Sequence, residues 1–173
     1  MGRFRLTPIA AALLSAAILV LVPVALAATA PSLPSVFAGQ IRAIHRVRHA
    51  PAVLLPRSMP LDAKRLFATG GISGTGYDLE LGAVRHCGGA NACFVAAFSA
   101  AKGARVYGRH VTVSGASRAG FLPLSCGASC APPQIDFIWH GVRYAIQANL
   151  KTKQSDRAAL IAAAESAISA GPR

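Results

Sequence analysis

The segment QIDFIWHGVRYAIQANL, from Gln134 to Leu150, alternates apolar and polar side chains on both sides of the pair His140-Gly141. A period of two is typical of a strand with one buried face. A two-residue loop that ends in Gly favours a type I′ turn, in which both central residues have positive φ. The segment therefore predicts a β-hairpin with its turn at His140-Gly141.

The turn fixes the register of this hairpin, and the register assigns each side chain to a face. One face receives three apolar pairs: Trp139 with Val142, Phe137 with Tyr144, and Ile135 with Ile146. The other face receives five residues: Asp136, Ile138, Arg143, Ala145 and Gln147. We expect the apolar face to be core, and the hairpin core to consist of Phe137, Trp139, Val142 and Tyr144.

Shorter segments outside the hairpin also have strand patterns. After a glycine-rich turn, Tyr77, Leu79 and Leu81 alternate with polar or small residues, as in a half-buried strand. The segments CFVAAFSA, HVTVSG and GFLPLSC are typical of further short strands. The domain is therefore expected to contain several antiparallel strands besides the hairpin.

One helix is expected at each end of the domain. Residues 35–51 place Ile41, Ile44 and Val47 near helical spacing, and Pro51 ends the helical pattern. The last segment begins with Ser155 as a plausible N-cap and ends at Gly171. These elements predict an α+β fold, with an antiparallel sheet of about five to seven short strands flanked by an N-terminal and a C-terminal helix on one face.

The first residues have the organisation of a secretory signal peptide. Arg3 and Arg5 precede an uncharged apolar stretch that Pro23 interrupts, and Ala25-Leu26-Ala27 offers small residues to a signal peptidase. We expect cleavage after Ala27. The alternative is an uncleaved anchor, because the apolar stretch approaches the ~20 residues of a membrane span.

Three parts of the chain follow from this assignment. Residues 1–27 are expected to form the signal peptide, residues 28–34 a linker, and residues 35–173 a single secreted α+β domain. The protein is then extracellular, periplasmic or associated with the cell envelope.

Four cysteines, Cys87, Cys93, Cys126 and Cys130, form two closely spaced pairs. An even set of cysteines in an exported protein favours disulfide bonds. The loops GGANA and GAS consist of residues that let each pair close locally, and pairing between the two loops is the alternative. Such short loops restrict the unfolded chain little, so each bond is expected to contribute less than the usual ~2–4 kcal/mol.

Metal and redox sites receive little support from the sequence. Neither cysteine pair has the C-x-x-C spacing of a redox site or the spacing of familiar zinc ribbons. His45 and His49 are four residues apart on the first helix, but a solvated basic face explains them better than a metal pair. We expect neither a metal nor another cofactor.

Catalytic motifs are incomplete. The segment GGISGTGYDLE lacks the Lys of a P-loop and the third Gly of a dinucleotide-binding loop. Ser99 and Lys102 match the S-x-x-K motif of serine penicillin-binding enzymes, but the accompanying motifs are missing. No catalytic residue is therefore assigned, and a small extracellular hydrolase is kept as an alternative.

The second half of the chain resembles a family of uncharacterised secreted bacterial proteins. The resemblance rests on the segments GYDLELGAVRHCGGANACFVAAF, GFLPLSCGASCAPPQIDFIWHGVRYAIQANL and ALIAAAESAI. In that family, a Cys-Gly-Gly-Ala block and a Cys-Gly-Ala-x-Cys block precede a Trp/Gly/Tyr hairpin and a helix. The resemblance covers about Val53 to Gly171. It implies export and a compact domain, and it brings no activity.

The charge of the chain suggests partners. Lys and Arg number 18 against 6 Asp and Glu, a net charge of +12, of which Arg3 and Arg5 belong to the predicted signal peptide. A basic exported protein is attracted to an anionic envelope polymer or lipid surface, and another envelope protein is a further candidate. No nucleic acid is expected, because the aromatic residues are not interleaved with basic ones.

The sequence therefore predicts a secreted or cell-envelope protein that acts as a non-catalytic binding or structural module closed by two disulfide bonds. An electrostatic binder of an anionic envelope polymer or lipid is the first alternative, and the small hydrolase is the second.

Overall fold

The computed structural model describes residues 32–173. The predicted signal peptide and the predicted linker up to residue 31 lie outside the described residues. Two short helices come first, α1 (Leu33–Val36) and α2 (Ala38–His45), and a longer helix, α3 (Asp156–Ala170), comes last. The strands between them are β1 (Phe67–Ser73), β2 (Gly76–Gly82), β3 (Phe94–Lys102), β4 (Arg109–Val111), β5 (Arg118–Leu122), β6 (Ser125–Cys126), β7 (Cys130–Ala131), β8 (Gln134–Trp139) and β9 (Val142–Ala148).

Seven strands form one antiparallel sheet in the order β1-β2-β3-β9-β8-β5-β4, and β6 pairs with β7 separately. Helix α2 packs against β1, and α3 packs against β8 and β9. A single hydrophobic core joins both helices to the sheet. The predicted α+β arrangement, with an antiparallel sheet and a helix near each end of the domain, is confirmed.

The β8–β9 hairpin has the predicted register. Phe137 lies opposite Tyr144 and Trp139 opposite Val142, while His140 and Gly141 have φ values of 48° and 75°, as a type I′ turn requires. The Phe137 and Tyr144 rings are buried and stack with their centroids 5.6 Å apart. Trp139 and Val142 are only half-buried, because they adjoin the turn where the sheet ends.

Two buried tyrosines attach an extended segment of the chain to the sheet. The Tyr77 hydroxyl accepts a hydrogen bond from the Leu54 backbone N–H at 3.1 Å. The Tyr144 hydroxyl donates to the Ala52 carbonyl at 3.0 Å. Burial raises the pKa of Tyr77 above its usual range and raises that of Tyr144 to about 12.

The opposite face of the hairpin differs from the expectation of a polar surface. Asp136 has no exposed area at all, because the chain between β3 and β4 crosses over it. The Asp136 carboxylate accepts hydrogen bonds from the Tyr107 backbone N–H at 3.0 Å and from the Gln134 amide at 2.6 Å. It also forms an ion pair of 2.8 Å with Arg143, whose guanidinium lies 5.3 Å from the centre of the Tyr107 ring.

The N-terminal helical region begins earlier and ends earlier than predicted. Leu33, assigned to the linker, is buried in α1, and Ser32 caps that helix by accepting the Ser35 backbone N–H. Helix α2 ends at His45, and the chain turns, with His49 at φ 66°. Val47 therefore lies beyond the helix and is 43% exposed, whereas its helical spacing with Ile41 and Ile44 predicts a buried position.

Strand β1 was expected as a glycine-rich turn, and this part of the prediction is wrong. Residues 67–73 pair in register with β2, from Phe67 opposite Gly82 to Ser73 opposite Gly76. Gly70 lies so close to β2 that a Cβ there would meet the Asp78 carbonyl oxygen. Glycine here allows close strand approach, so only residues 74 and 75 form the turn.

Helix α3 has the predicted cap and packs through its small residues. Ser155 accepts the Ala158 backbone N–H at 3.3 Å, and Gly171 follows the last turn with φ 72°. Leu160 and Ala164 are fully buried. Ile168 is half-buried and lies against Gly115. Buried alanines, such as Ala164, let the helix pack closely on β8 and β9.

Loss of the buried carboxylate should destabilise the domain. Asp136→Asn should lower the free energy of unfolding by about 2–4 kcal/mol, because Arg143 loses its ionic partner in a largely dry site. Urea unfolding measures the change. Asp78→Asn, at an exposed position on the same side of the sheet, is the matched control and should change stability by less than about 0.5 kcal/mol. Equal losses in the two variants would contradict the buried network.

Alkaline pH should destabilise the protein through Tyr144. Its pKa rises from 10.0 to about 12 on folding, so between these values the unfolded chain releases a proton that the folded chain keeps. The free energy of unfolding therefore falls as pH rises through this window. Tyr144→Phe should make the fall shallower in urea titrations at successive pH values, and Tyr107→Phe, at a position 56% exposed, should not. If the free energy of unfolding fell equally steeply with pH in the wild type and in Tyr144→Phe, the Tyr144 hydroxyl would not contribute to the alkaline loss of stability.

Candidate functional site

The helices cover one face of the sheet and leave the side chains of the other face on β1, β2, β3 and β9 less covered. We call this surface the open face. The strand registers place Thr69, Asp78, Ser99 and Gln147 on it. Asp78 is exposed, while Ser99 and Gln147 are half-buried. Small residues such as Ala97 lie between these side chains, so the surface is low enough to be the floor of a groove.

The first disulfide loop, residues 87–93, stands at one side of the open face. The bond joins Cys87 to Cys93, whose α-carbons are 5.7 Å apart. Gly82 lets the loop lie close to the end of β2, since a Cβ there would come 2.6 Å from the Cys87 Cβ. Glu80 on β2 attaches this loop to the sheet: its carboxylate accepts a hydrogen bond from the Gly89 backbone N–H at 2.9 Å.

The second disulfide loop, residues 126–130, connects β6 and β7. The bond joins Cys126 to Cys130, so both pairs are local and the alternative pairing between loops is not observed. The chain that follows this loop is attached to the open face by Gln147, whose amide donates to the Pro132 carbonyl at 3.1 Å.

A groove of about 520 Å³ lies on the open face between the two loops. Its walls and floor include six residues that we use below: Asp78, Glu80, Asn91, Phe94, Ser129 and Gln147. Carboxylates, amides and a hydroxyl are hydrogen-bonding groups for a hydrophilic ligand, and Phe94 adds an apolar surface. No Lys, Arg or His is among the described residues that line the groove.

A second pocket, of about 370 Å³, adjoins the groove. Asn91 and Phe94 line both cavities, and the second pocket also contains Asp62 and Asp156. Lys151 lies 3.9 Å from Asp62, but both side chains are exposed, so this ion pair contributes little. The two cavities beside the disulfide loops are thus lined by carboxylates, although exposed basic residues such as Arg65 and Arg157 lie at the same end of the molecule.

The other two acidic side chains serve the fold. Asp136 is buried against Arg143. Glu165 on α3 accepts hydrogen bonds from the backbone N–H and the hydroxyl of Ser114, at 3.0 and 2.9 Å. The acidic groups that face solvent in a cavity are therefore Asp62, Asp78, Glu80 and Asp156, all in the two adjoining cavities.

The incomplete catalytic motifs do not come together. Ser99 and Lys102 lie three positions apart on β3, so their side chains leave opposite faces of the sheet. The Lys102 ammonium instead donates to the His49 carbonyl at 2.7 Å. In residues 32–173 no group of three His, Cys, Asp or Glu side chains has the arrangement of a metal site, and the His45/His49 pair belongs to no such group.

No protein-family model, curated protein or solved structure matches this chain. The resemblance of its cysteine blocks to secreted bacterial proteins therefore stays a prediction. Among the described helices, none has the length and hydropathy needed to cross a membrane.

Sequence reasoning located the cysteines and the hairpin core but missed the groove between the loops. The sequence marks Asn91 and Ser129 only as loop residues and Gln147 only as a position on the second face of the hairpin. The one available signal was that each cysteine loop adjoins a strand with polar alternate positions, such as Asp78 and Glu80 on β2.

Glu80 should control the order of the first disulfide loop. Glu80→Ala removes the acceptor for the Gly89 N–H, so hydrogen exchange at Gly89 should become about fivefold faster, equivalent to ~1 kcal/mol. Amide exchange followed by NMR gives this rate. Asp78→Ala, two residues away on the same face, is the matched control and should leave the rate unchanged. Comparable acceleration by both substitutions would show that Glu80 does not hold the loop.

Proposed function

We propose that this protein is an exported, non-catalytic binding module that takes a hydrophilic ligand without negative charge in the groove between its two disulfide loops. Two disulfide bonds and no free cysteine in residues 32–173 are typical of proteins from an oxidising compartment, outside the cytosol. The signal-peptide pattern, with cleavage after Ala27, supports export by the secretory route.

The groove is the observation that carries this proposal. Asp78 is exposed on its floor, Asn91 and Ser129 lie in the loops on either side, and Gln147 lies on the floor between them. Hydroxyl groups of a neutral glycan can donate to the carboxylate and exchange hydrogen bonds with the amides. A sugar ring also has an apolar face for Phe94. An anionic polymer, in contrast, would meet Asp78 and Glu80 without a compensating cation.

A binding role explains the groove better than glycoside hydrolysis. Hydrolysis needs two carboxyl groups free to act on either side of the bond that is cleaved. Glu80 already accepts the Gly89 N–H and holds the loop. Asp78 is thus the carboxylate on this floor that faces a ligand freely, and one carboxylate suits hydrogen bonding to a bound chain.

Binding should be tested with soluble neutral oligosaccharides, for example those of N-acetylglucosamine and of glucose. NMR titration of the exported chain should shift the amide signals of Asp78, Asn91 and Ser129 together, and Asp78→Ala should weaken binding about tenfold, as expected when one charged hydrogen bond is lost. Gln154→Ala, at an exposed position outside the groove, is the control and should bind as the wild type does.

Each other outcome has a defined meaning. Binding that shifts signals elsewhere would move the site away from the groove. Stronger binding of anionic than of neutral oligosaccharides would overturn the proposed ligand class. Shortening of the oligosaccharide during the titration, lost in Asp78→Ala, would make the protein a hydrolase.

A further inference from the structure

The end of the molecule opposite the disulfide loops carries a different surface. A shallow pocket of about 260 Å³ lies between the turn after α2 and the β1–β2 turn. Val47 and Ile72 line it with their side chains 43% and 40% exposed. These two apolar side chains are therefore partly open to solvent, although β1 and the turn after α2 are held by backbone hydrogen bonds.

Positive charge surrounds these apolar side chains. Arg48, His49 and Lys102 line the same pocket, and Arg46 lies next to Val47 in the chain; all four are exposed. The Lys102 ammonium, bonded to the His49 carbonyl, connects the turn after α2 to the end of β3. No carboxylate is among the described residues that line the pocket. We call this surface, formed by residues 46–49, Ile72 and Lys102, the basic end.

We propose that the basic end docks the protein on an anionic lipid surface, with Val47 and Ile72 entering the headgroup layer and the basic side chains on the phosphates. Charge complementarity alone would also allow a soluble polyanion. The apolar pair decides between them, because a bilayer offers an apolar layer beneath its charges and a polyanion does not. This site is separate from the groove, and the inference does not rest on the proposed ligand.

Docking at the basic end places the disulfide loops that flank the groove at the end of the strands away from the membrane. The β1–β2 turn and Lys102 lie at one end of the strands, and the disulfide loops lie at the other: Ser73 pairs with Gly76 at the first end, and Gly82 pairs with Phe94 at the second. A protein bound through the first end would present the acidic groove to the aqueous side. Membrane binding at the basic end and ligand binding in the groove would then use different parts of the protein.

Vesicle sedimentation of the exported chain tests the proposal. The chain should bind vesicles of phosphatidylglycerol mixed with phosphatidylcholine and not vesicles of phosphatidylcholine alone. Arg46→Gln with Arg48→Gln should lower the partition coefficient about 25-fold, since each basic residue near an anionic surface contributes roughly fivefold. Val47→Ser with Ile72→Ser should lower it by at least about threefold, because apolar contact with the lipid is lost.

Matched variants at the end with the disulfide loops separate the effect of the site from the effect of the net charge. Arg65→Gln with Arg157→Gln removes the same charge, and Val84→Ser with Leu124→Ser removes exposed apolar side chains, 52% and 56% exposed in the wild type. Both controls should bind vesicles almost as the wild type does. Equal losses in these controls would show that the charge of the whole protein is responsible, and the proposal would fail.

Two further outcomes would overturn the proposal in favour of another occupant. Binding to soluble polyphosphate as strong as binding to vesicles, and unaffected by Val47→Ser with Ile72→Ser, would assign the basic end to a polyanion. Self-association of the chain in sedimentation velocity, abolished by the same pair of substitutions, would assign it to a second copy. Circular dichroism of every variant confirms that losses of binding are not losses of fold.

Discussion

The His140-Gly141 turn sets the register of the β8–β9 hairpin, and the rest of the structure depends on that register. Both residues take positive φ, which matches the twist of the two strands and pairs Phe137 with Tyr144. A slip of one residue would move these rings to the open face and bring Asp136 into the apolar core. The hairpin also lies between β3 and β5, so β3 pairs with β9 and β5 pairs with β8 on strands whose buried face the hairpin has already set.

Both helices pack on the same face of the sheet, and this explains why a chain with 53% hydrophobic residues still has a polar groove on the other face. The core face takes both helices and the segment that Tyr77 and Tyr144 hold, so no helix of residues 32–173 packs on the open face. The two disulfide loops instead stand at its margin, and the sheet itself holds them through Glu80 and Gln147. Short disulfide loops add little global stability; their effect here is to give each wall of the groove a fixed shape.

Local patterns predicted the features that depend on neighbours in the chain. The alternation around His140-Gly141, the Ser155 cap and the two local cysteine pairs are all of this kind. Strand β1 was missed because FATGGIS has few strand-forming side chains, and its pairing depends on glycine at a close approach to β2. Burial of Asp136 was missed because its partner Tyr107 comes from a distant segment that the sequence does not place over it. The groove combines β1, β2, β9 and both loops, so no single stretch of sequence describes it.

The distribution of charge has a physical consequence beyond either proposed site. An excess of basic residues spread evenly would favour any anionic surface in any orientation. Here the acidic side chains that face solvent line the two cavities beside the disulfide loops, and none is among the described residues that line the pocket at the opposite end of the strands. Near an anionic surface, the cavities lined by Asp62, Asp78, Glu80 and Asp156 are unfavourable contacts and the basic end is a favourable one, so the field that attracts the protein also favours one orientation. Only one approach then brings Val47 and Ile72 to the surface, and short-range apolar contact can add to the long-range attraction only in that approach.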